Sequence, residues 1–345
     1  MKIPLNGKII KVVQHLDQPF HLTWVINNFC NNRCSYCLPD LHNGKRKLYD
    51  FENIKKFLDI LIAKHKKIHC SVSGGEPTLS PHFLKIVKIF NENNCTVGVT
   101  SNGSRNIDFW KKNVSFLEYV VFSYHIESKY NDDFLKKIEF CKDKTNVTVR
   151  MMMPPNHWDE CLDMYKKISK IKNIHYEPVR ILDWTRSDKK YYTYTNTQNE
   201  WFNEQQIELK NIFNNVNNNF RNNVDFYFDN GEIINSNDVD SNYLINAKLT
   251  GFFGYECEIG LKSLFINNDG EIFLGNCGVS GSIGSLNDID NIKWPSKSIN
   301  CNVAVCHCTT DVYINKKIKE IKNKSFNDDF NKILNLNKKT NLWNI

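Results

Sequence analysis

From His21 to Arg180 the chain alternates six short β-type runs with amphipathic helical stretches, a pattern that few folds can satisfy. The strand candidates are His21–Asn27, Ile68–Ser73, Cys95–Ser101, Tyr119–His125, Asn146–Met153 and Ile174–Arg180. Helices are expected at Phe51–Lys64, Pro81–Asn91, Asp108–Lys112, Asp132–Lys142 and Asp159–Lys170. In the first of these, Phe51, Ile54, Phe57, Leu58 and Leu61 recur at helical spacing, giving one apolar stripe. Ser80-Pro81 reads as an N-cap followed by proline at the first helical position. Strands separated by helices pair in parallel, either as a doubly wound sheet or as an open barrel. Periodicity does not separate those two.

Beyond Trp184 the alternation stops. Residues 185–250 are rich in Tyr and Asn and read as a connector, with one helix from Asn199 to Asn215. Thr197-Gln-Asn-Glu200 is taken as its capping box. From Gly251 to about Asp311 lies a compact segment with five cysteines and a hairpin around Asn268-Asp-Gly270. A lysine-rich tail carrying Ile318, Ile321, Phe326 and Ile333 reads as helical. The expected division is therefore a core at 1–184, a connector at 185–250 and a cysteine-rich unit with its tail at 251–345.

Composition narrows the setting. Hydrophobic residues at 41% are enough for a packed core, which excludes wholesale disorder. The 45 basic residues exceed the 38 acidic ones by seven, but pairs such as Lys66-Lys67 and Lys111-Lys112 read as solvated helix faces. No nucleic-acid motif accompanies them, so no nucleic-acid partner is expected. No apolar run approaches the roughly 18 residues of a membrane span, and the N-terminus lacks a signal-peptide core. A cytoplasmic protein with no membrane partner is expected, and there twelve cysteines point to metal rather than disulfides.

The first strand runs into Cys30-Asn-Asn-Arg-Cys34-Ser-Tyr-Cys37. Three thiols so close leave one unpaired after any disulfide. A structural zinc wants four ligands, commonly two close pairs. A four-iron cluster held by three cysteines instead keeps one iron open to an outside ligand. Spacing alone leaves zinc or a buried cysteine cluster as alternatives.

This loop resembles that of the radical S-adenosylmethionine (SAM) superfamily. Ser73-Gly74-Gly75-Glu76-Pro77, just after the second strand, is similar to the family's Gly-Gly-Glu-Pro motif. The resemblance implies a partial (β/α)6 TIM-like barrel with a [4Fe–4S] cluster on Cys30, Cys34 and Cys37 and SAM on the open iron. It implies that Tyr36 packs against the cluster. Gly74, Gly75, Glu76 and Pro77 would bind SAM, with Glu76 accepting a hydrogen bond from its amino group. Asn102, in Thr100-Ser-Asn102-Gly-Ser104, would lie near the ribose, and Ser123 near the ribose or methionyl group. Arg150 would pair with the SAM carboxylate, or else form a rim salt bridge to a barrel acid. Where relatives often show Ser-Leu-Asp-Gly, this chain has Ser123-Tyr124-His125-Ile126. Strand alternation puts His125 on the face of Ser123, either toward substrate or as a satisfied structural histidine.

Cys257, Cys277, Cys301, Cys306 and Cys308 resemble a small C-terminal auxiliary-cluster domain of the SPASM/twitch kind. A full SPASM domain needs more cysteines than remain, whereas the twitch form, with one further [4Fe–4S] cluster, leaves five candidates for at most four ligands. Cys301-x4-Cys306-His-Cys308 departs from the usual spacing, and a zinc site on Cys306, His307 and Cys308 stays open. Cys70, Cys95, Cys141 and Cys161 read as core.

The chemistry so implied is reductive cleavage of SAM to a 5′-deoxyadenosyl radical that takes a hydrogen atom from substrate. An oxidoreductase, an epimerase or another radical-based modification would each use it. An electron donor such as flavodoxin or ferredoxin is implied as a partner. Only 29 residues precede Cys30, which weakens a peptide substrate without excluding it, and small polar molecules such as sugars, nucleotides or amino-acid derivatives stand beside it as candidates. The alternative is a non-catalytic iron–sulfur or zinc protein that kept the fold.

Overall fold

The computed structural model describes residues 7–15, 18–42, 49–128, 133–182, 191–213, 223–239 and 241–318. The expected helical tail lies outside these residues from position 319 onward, and Ile318, named as part of it, instead ends a strand, Lys316–Ile318. After an N-terminal strand, β1 (Ile9–Gln14), come β2 (Phe20–Val25), α1 (Phe51–Lys64), β3 (Ile68–Ser73) and α2 (Phe83–Glu92). The alternation continues through β4 (Thr96–Ser101), α3 (Ile107–Asn113), β5 (Tyr119–Tyr124) and α4 (Phe134–Cys141). It ends with β6 (Asn146–Met152), α5 (Trp158–Ile168) and β7 (His175–Val179). β2 to β7 pair in parallel in sequence order and do not close, giving a partial barrel.

Local chemistry sets these elements. The Asp50 carboxylate accepts from Glu52 N at 3.0 Å and opens α1, whose Ile54, Phe57, Leu58 and Leu61 are buried. Asn106 does the same for α3, accepting from Phe109 N at 3.0 Å. α2 starts two residues later than expected, at Phe83, because Ser80 and Pro81 belong to the preceding turn, where Ser80 Oγ accepts from His82 N. Along the strands, residues such as Leu22, Trp24, Val97, Val120 and Met151 are buried in one core with the helix stripes. The alternate positions, including Thr23, Ser71, Thr100, Thr148, Ser123 and Arg150, form a polar inner face. Cys70, Cys95, Cys141 and Cys161 are buried in the core, as expected.

The rest of the chain wraps around this sheet. α6 (Asn196–Phe213) begins three residues earlier than expected. Its reciprocal cap is Thr195 with Gln198, not Thr197 with Glu200. Gln198 N donates to Thr195 Oγ1 at 3.2 Å, and Thr195 N donates to Gln198 Oε1 at 2.9 Å. β8 (Val224–Phe228) and β9 (Ile233–Asn235) follow, then α7 (Ser241–Asn246), β10 (Tyr255–Cys257) and β11 (Ser263–Ile266). The last strands are β12 (Glu271–Phe273), β13 (Ser282–Ser285), β14 (Ile299–Asn300) and β15 (Lys316–Ile318). β11 adds to the barrel sheet, parallel to β2, and carries the antiparallel hairpin to β12 and then β13. A second sheet runs β14-β10-β15-β1-β8-β9, joining both ends of the described chain with the segment read as a connector.

Candidate active site

The loop after β2 is held at the C-terminal ends of its neighbours. From β3, Gly75 N donates to the main-chain and side-chain oxygens of Asn27, and Glu76 N donates to Phe29 O at 2.7 Å. A Cβ on Gly75 would stand 2.3 Å from Phe29 O, and one on Gly74, at φ +141°, 2.6 Å from Asn27 O. The two glycines thus admit the backbone that leads into Cys30. From β4, Asn102 Nδ2 donates to Asn31 Oδ1 at 3.0 Å and stands 3.5 Å from Cys30 Sγ. From the end of β5, Ser128 Oγ donates to Asn32 Oδ1, Glu127 holds Ser35, and Tyr36 Oη lies 3.0 Å from His125 Nδ1.

Glu76 is fully enclosed. Its Oε1 accepts from Thr78 N, Thr78 Oγ1 and Ser101 Oγ, and its Oε2 accepts from Asn102 N at 2.7 Å. Burial pushes its carboxyl up and these donors oppose the rise. In this structure the carboxylate is a strut between the ends of β3 and β4, and Pro77 begins the buried turn beside it. Ser123 faces Arg150 across β5 and β6, and Arg150 faces Glu177 across β6 and β7. Arg150 Nε donates to Glu177 Oε1 at 2.6 Å, with the arginine side chain 44% exposed. The guanidinium is therefore at the rim rather than buried among the strand's apolar residues. His125 packs on Tyr36, ring centroids 5.9 Å apart, and burial pushes its pKa down to about 4.

The thiols fit a cationic iron–sulfur group. Burial pushes Cys30 up to about 11 and Cys34 up to about 12, so thiolates there call for a positive partner. Asn32 N donates to Cys30 Sγ at 3.3 Å, and Asn32 Nδ2 is buried with no partner among the described residues. Donors of this kind serve cluster sulfurs. Tyr36 packs with Cys34, Cys37 and Ile181.

In the C-terminal part, Cys257, Cys277, Cys301 and Cys306 line one cavity with Asp311 and Lys316. Cys308 is not among its walls, and its sulfur accepts from Asn276 Nδ2 at 3.4 Å. His307 is exposed while Cys306 is buried, so the Cys306-His307-Cys308 trio does not face one point. No three His, Cys, Asp or Glu side chains among the described residues are drawn together as one metal ion requires. Burial pushes Cys277 up to about 12 and raises Cys257, Cys306 and Cys308 as well.

Sequence reasoning missed Asn27, Asn31, Glu127 and Ser128, which fasten the cysteine loop. Their one signal is proximity to the motifs, because each acts across a distance that no local pattern encodes.

An open parallel βα barrel whose strand ends grip a three-cysteine loop offers three thiols at its mouth, a donor set suited to an iron–sulfur cluster. Residues 24–170 match the profile of the Radical SAM superfamily. Among curated relatives, GTP 3′,8-cyclase of Actinobacillus pleuropneumoniae serotype 5b (strain L20) is 32% identical over 104 residues, 28% of this chain and 30% of that one. Mycofactocin maturase MftC of Mycobacterium tuberculosis (strain ATCC 25618 / H37Rv) is 29% identical over 107 residues, 30% of this chain and 27% of that one. The likeness thus spans under a third of either relative's length. The solved structure described as native anSMEcpe with bound AdoMet and Cp18Cys peptide shares the fold at a TM-score of 0.50 and 17% identity. That likeness covers 79% of this chain and 78% of that one. No helix among the described residues is long and apolar enough to cross a membrane.

Proposed function

We propose that the chain is a radical SAM enzyme that acts on a polar substrate, with a second iron–sulfur centre in its C-terminal part. The observation that carries this is the fastening of Cys30, Cys34 and Cys37 at the mouth of a polar-faced barrel. A four-iron cluster held there together with SAM would supply one-electron reduction of the sulfonium, and with it the radical chemistry that takes a hydrogen atom from substrate.

The chain's own residues bind and orient. Cys30, Cys34 and Cys37 hold the cluster, Asn102 and the Asn32 amide steady the Cys30 sulfur, and Tyr36 covers the Cys34 side. Gly74, Gly75 and Pro77 set a turn that would receive SAM, and Glu76 holds Asn102 in place. Ser123 and Arg150, on the inner face, would bind SAM there, with the arginine's charge shared with Glu177. His125 acts through Tyr36. The mouth of the strands takes the substrate, and the polar inner face supports a small polar metabolite, a sugar or nucleotide, or the backbone of a peptide. Cys257, Cys277, Cys301 and Cys306 hold the second centre, and an external one-electron donor such as flavodoxin or ferredoxin serves as redox partner.

The test is anaerobic reconstitution followed by incubation with dithionite and SAM. About eight irons per chain are expected for two four-iron clusters, 5′-deoxyadenosine should form, and Cys34→Ala should abolish it. About four irons with one zinc would remove the second cluster. No 5′-deoxyadenosine from iron-replete protein would overturn the enzyme reading in favour of a binding protein.

A further inference from the structure

Lys316 is an unusual neighbour for four thiols. It is 4% exposed, sits opposite Cys257 in the pairing of β10 with β15, and is the one basic residue among the described walls of the cavity. Its Nζ donates to the carbonyls of Asp311 at 2.7 Å, Val312 at 3.0 Å and Ile314 at 2.7 Å. Three acceptors use three N–H bonds, and only the ammonium has three, since the neutral amine has two. The group also lies 4.8 Å from the Phe252 ring centroid. Burying an ammonium costs several kcal/mol even after relaxation.

We infer that Lys316 is a positioning residue whose fixed charge sets the reduction potential of a second iron–sulfur centre held by Cys257, Cys277, Cys301 and Cys306. The inference rests on the reading of that cavity proposed above. One-electron reduction by an external donor adds one negative charge to the cluster and its thiolates, with no proton or leaving group involved. A buried cation beside two of the ligands stabilises the more negative form, because the low-dielectric surroundings screen it weakly.

The experiment uses full-length chain carrying Cys30→Ala, Cys34→Ala and Cys37→Ala, so that only the second centre takes up iron. Reduction potentials are then read by an EPR-monitored titration with Lys316 intact or changed to Gln, Met or Arg. Thermal midpoints are recorded alongside. Lys316→Gln and Lys316→Met should move the potential to more negative values by similar amounts, and Lys316→Arg should leave it near the parent value. Folded Gln and Met variants that lose iron, while the Arg variant retains it, would support the inference by the same electrostatics. No shift in the Gln and Met variants, or an equal shift or equal iron loss in the Arg variant, would overturn the role of Lys316 and leave the centre standing. A parent chain that takes up no iron would instead overturn the cavity reading itself.

Discussion

Both carboxylate oxygens of Glu127 hold Ser35, with Oε2 2.6 Å from the Ser35 amide nitrogen and Oε1 2.7 Å from its hydroxyl. Ser35 lies between Cys34 and Tyr36, so a residue just past β5 grips the middle of the three-cysteine loop. With the Tyr36–His125 and Ser128–Asn32 contacts, this ties the loop to the barrel at successive points.

Glu127→Ala should therefore loosen the loop. Two hydrogen bonds to a carboxylate, partly open to water, contribute on the order of 2 kcal/mol. Iron should leave the variant faster than wild type when both are challenged with a chelator. Glu127→Gln, which keeps one acceptor, should fall between the two, and equal rates for all three would remove the clamp.

Glu76→Gln tests the strut between β3 and β4. The amide offers one oxygen, and its NH2 group would meet either the Asn102 amide or the donors on Oε1. A buried unsatisfied donor costs about 1–3 kcal/mol. A lower thermal midpoint is expected together with weaker SAM binding, measured by equilibrium dialysis. A variant as stable as wild type would contradict the enclosed geometry.

Lys137 is 2% exposed, donates to Gly103 O at 2.7 Å and pairs with Asp133. It pins the turn that follows Asn102. Lys137→Met leaves that carbonyl without its donor and should cost about 2 kcal/mol in urea unfolding. The KM for SAM should rise several-fold, whereas loss of stability with an unchanged KM would make the lysine purely structural.

His69 gives a pH dependence with a definite sign. Burial, aided by the nearby His21 ring, pushes its pKa from 6.5 down to about 3, and its Nδ1 lies 2.8 Å from Thr96 Oγ1. The unfolded chain thus binds a proton that the folded chain refuses between those values. Stability is fully present above pH 6.5 and is lost as pH falls toward 3, with a limit on the order of 5 kcal/mol. His69→Gln should flatten the fall in thermal midpoint between pH 6.5 and 4, and an undiminished slope would assign it to other groups.

Most of the barrel was legible from local pattern. The six strand candidates and five helix candidates of 21–180 lie within two residues of observed elements, because amphipathic periodicity is a property of neighbouring residues. Caps were less legible. Thr197 and Glu200 have the capping spacing, but so do Thr195 and Gln198, and the geometry of the chain leaving Tyr194 chose the latter pair. The connector held no alternation strong enough to announce β8 and β9, which exist because β8 pairs with β1, a strand more than 200 positions away, and β9 folds back on β8.

The sequence by itself determined the alternation of strands and helices, the three-cysteine loop after β2 and the glycine turn after β3, since each is written in residues close together. Only the tertiary structure decided that β11 joins the barrel sheet beside β2 and that Glu76 is spent inside the protein. It also drew Cys257, Cys277, Cys301 and Cys306 around one cavity with Lys316 while leaving Cys308 outside its walls. Those outcomes depend on contacts between residues tens to hundreds of positions apart. Their free energy comes from burial and hydrogen bonding that no short window of sequence contains.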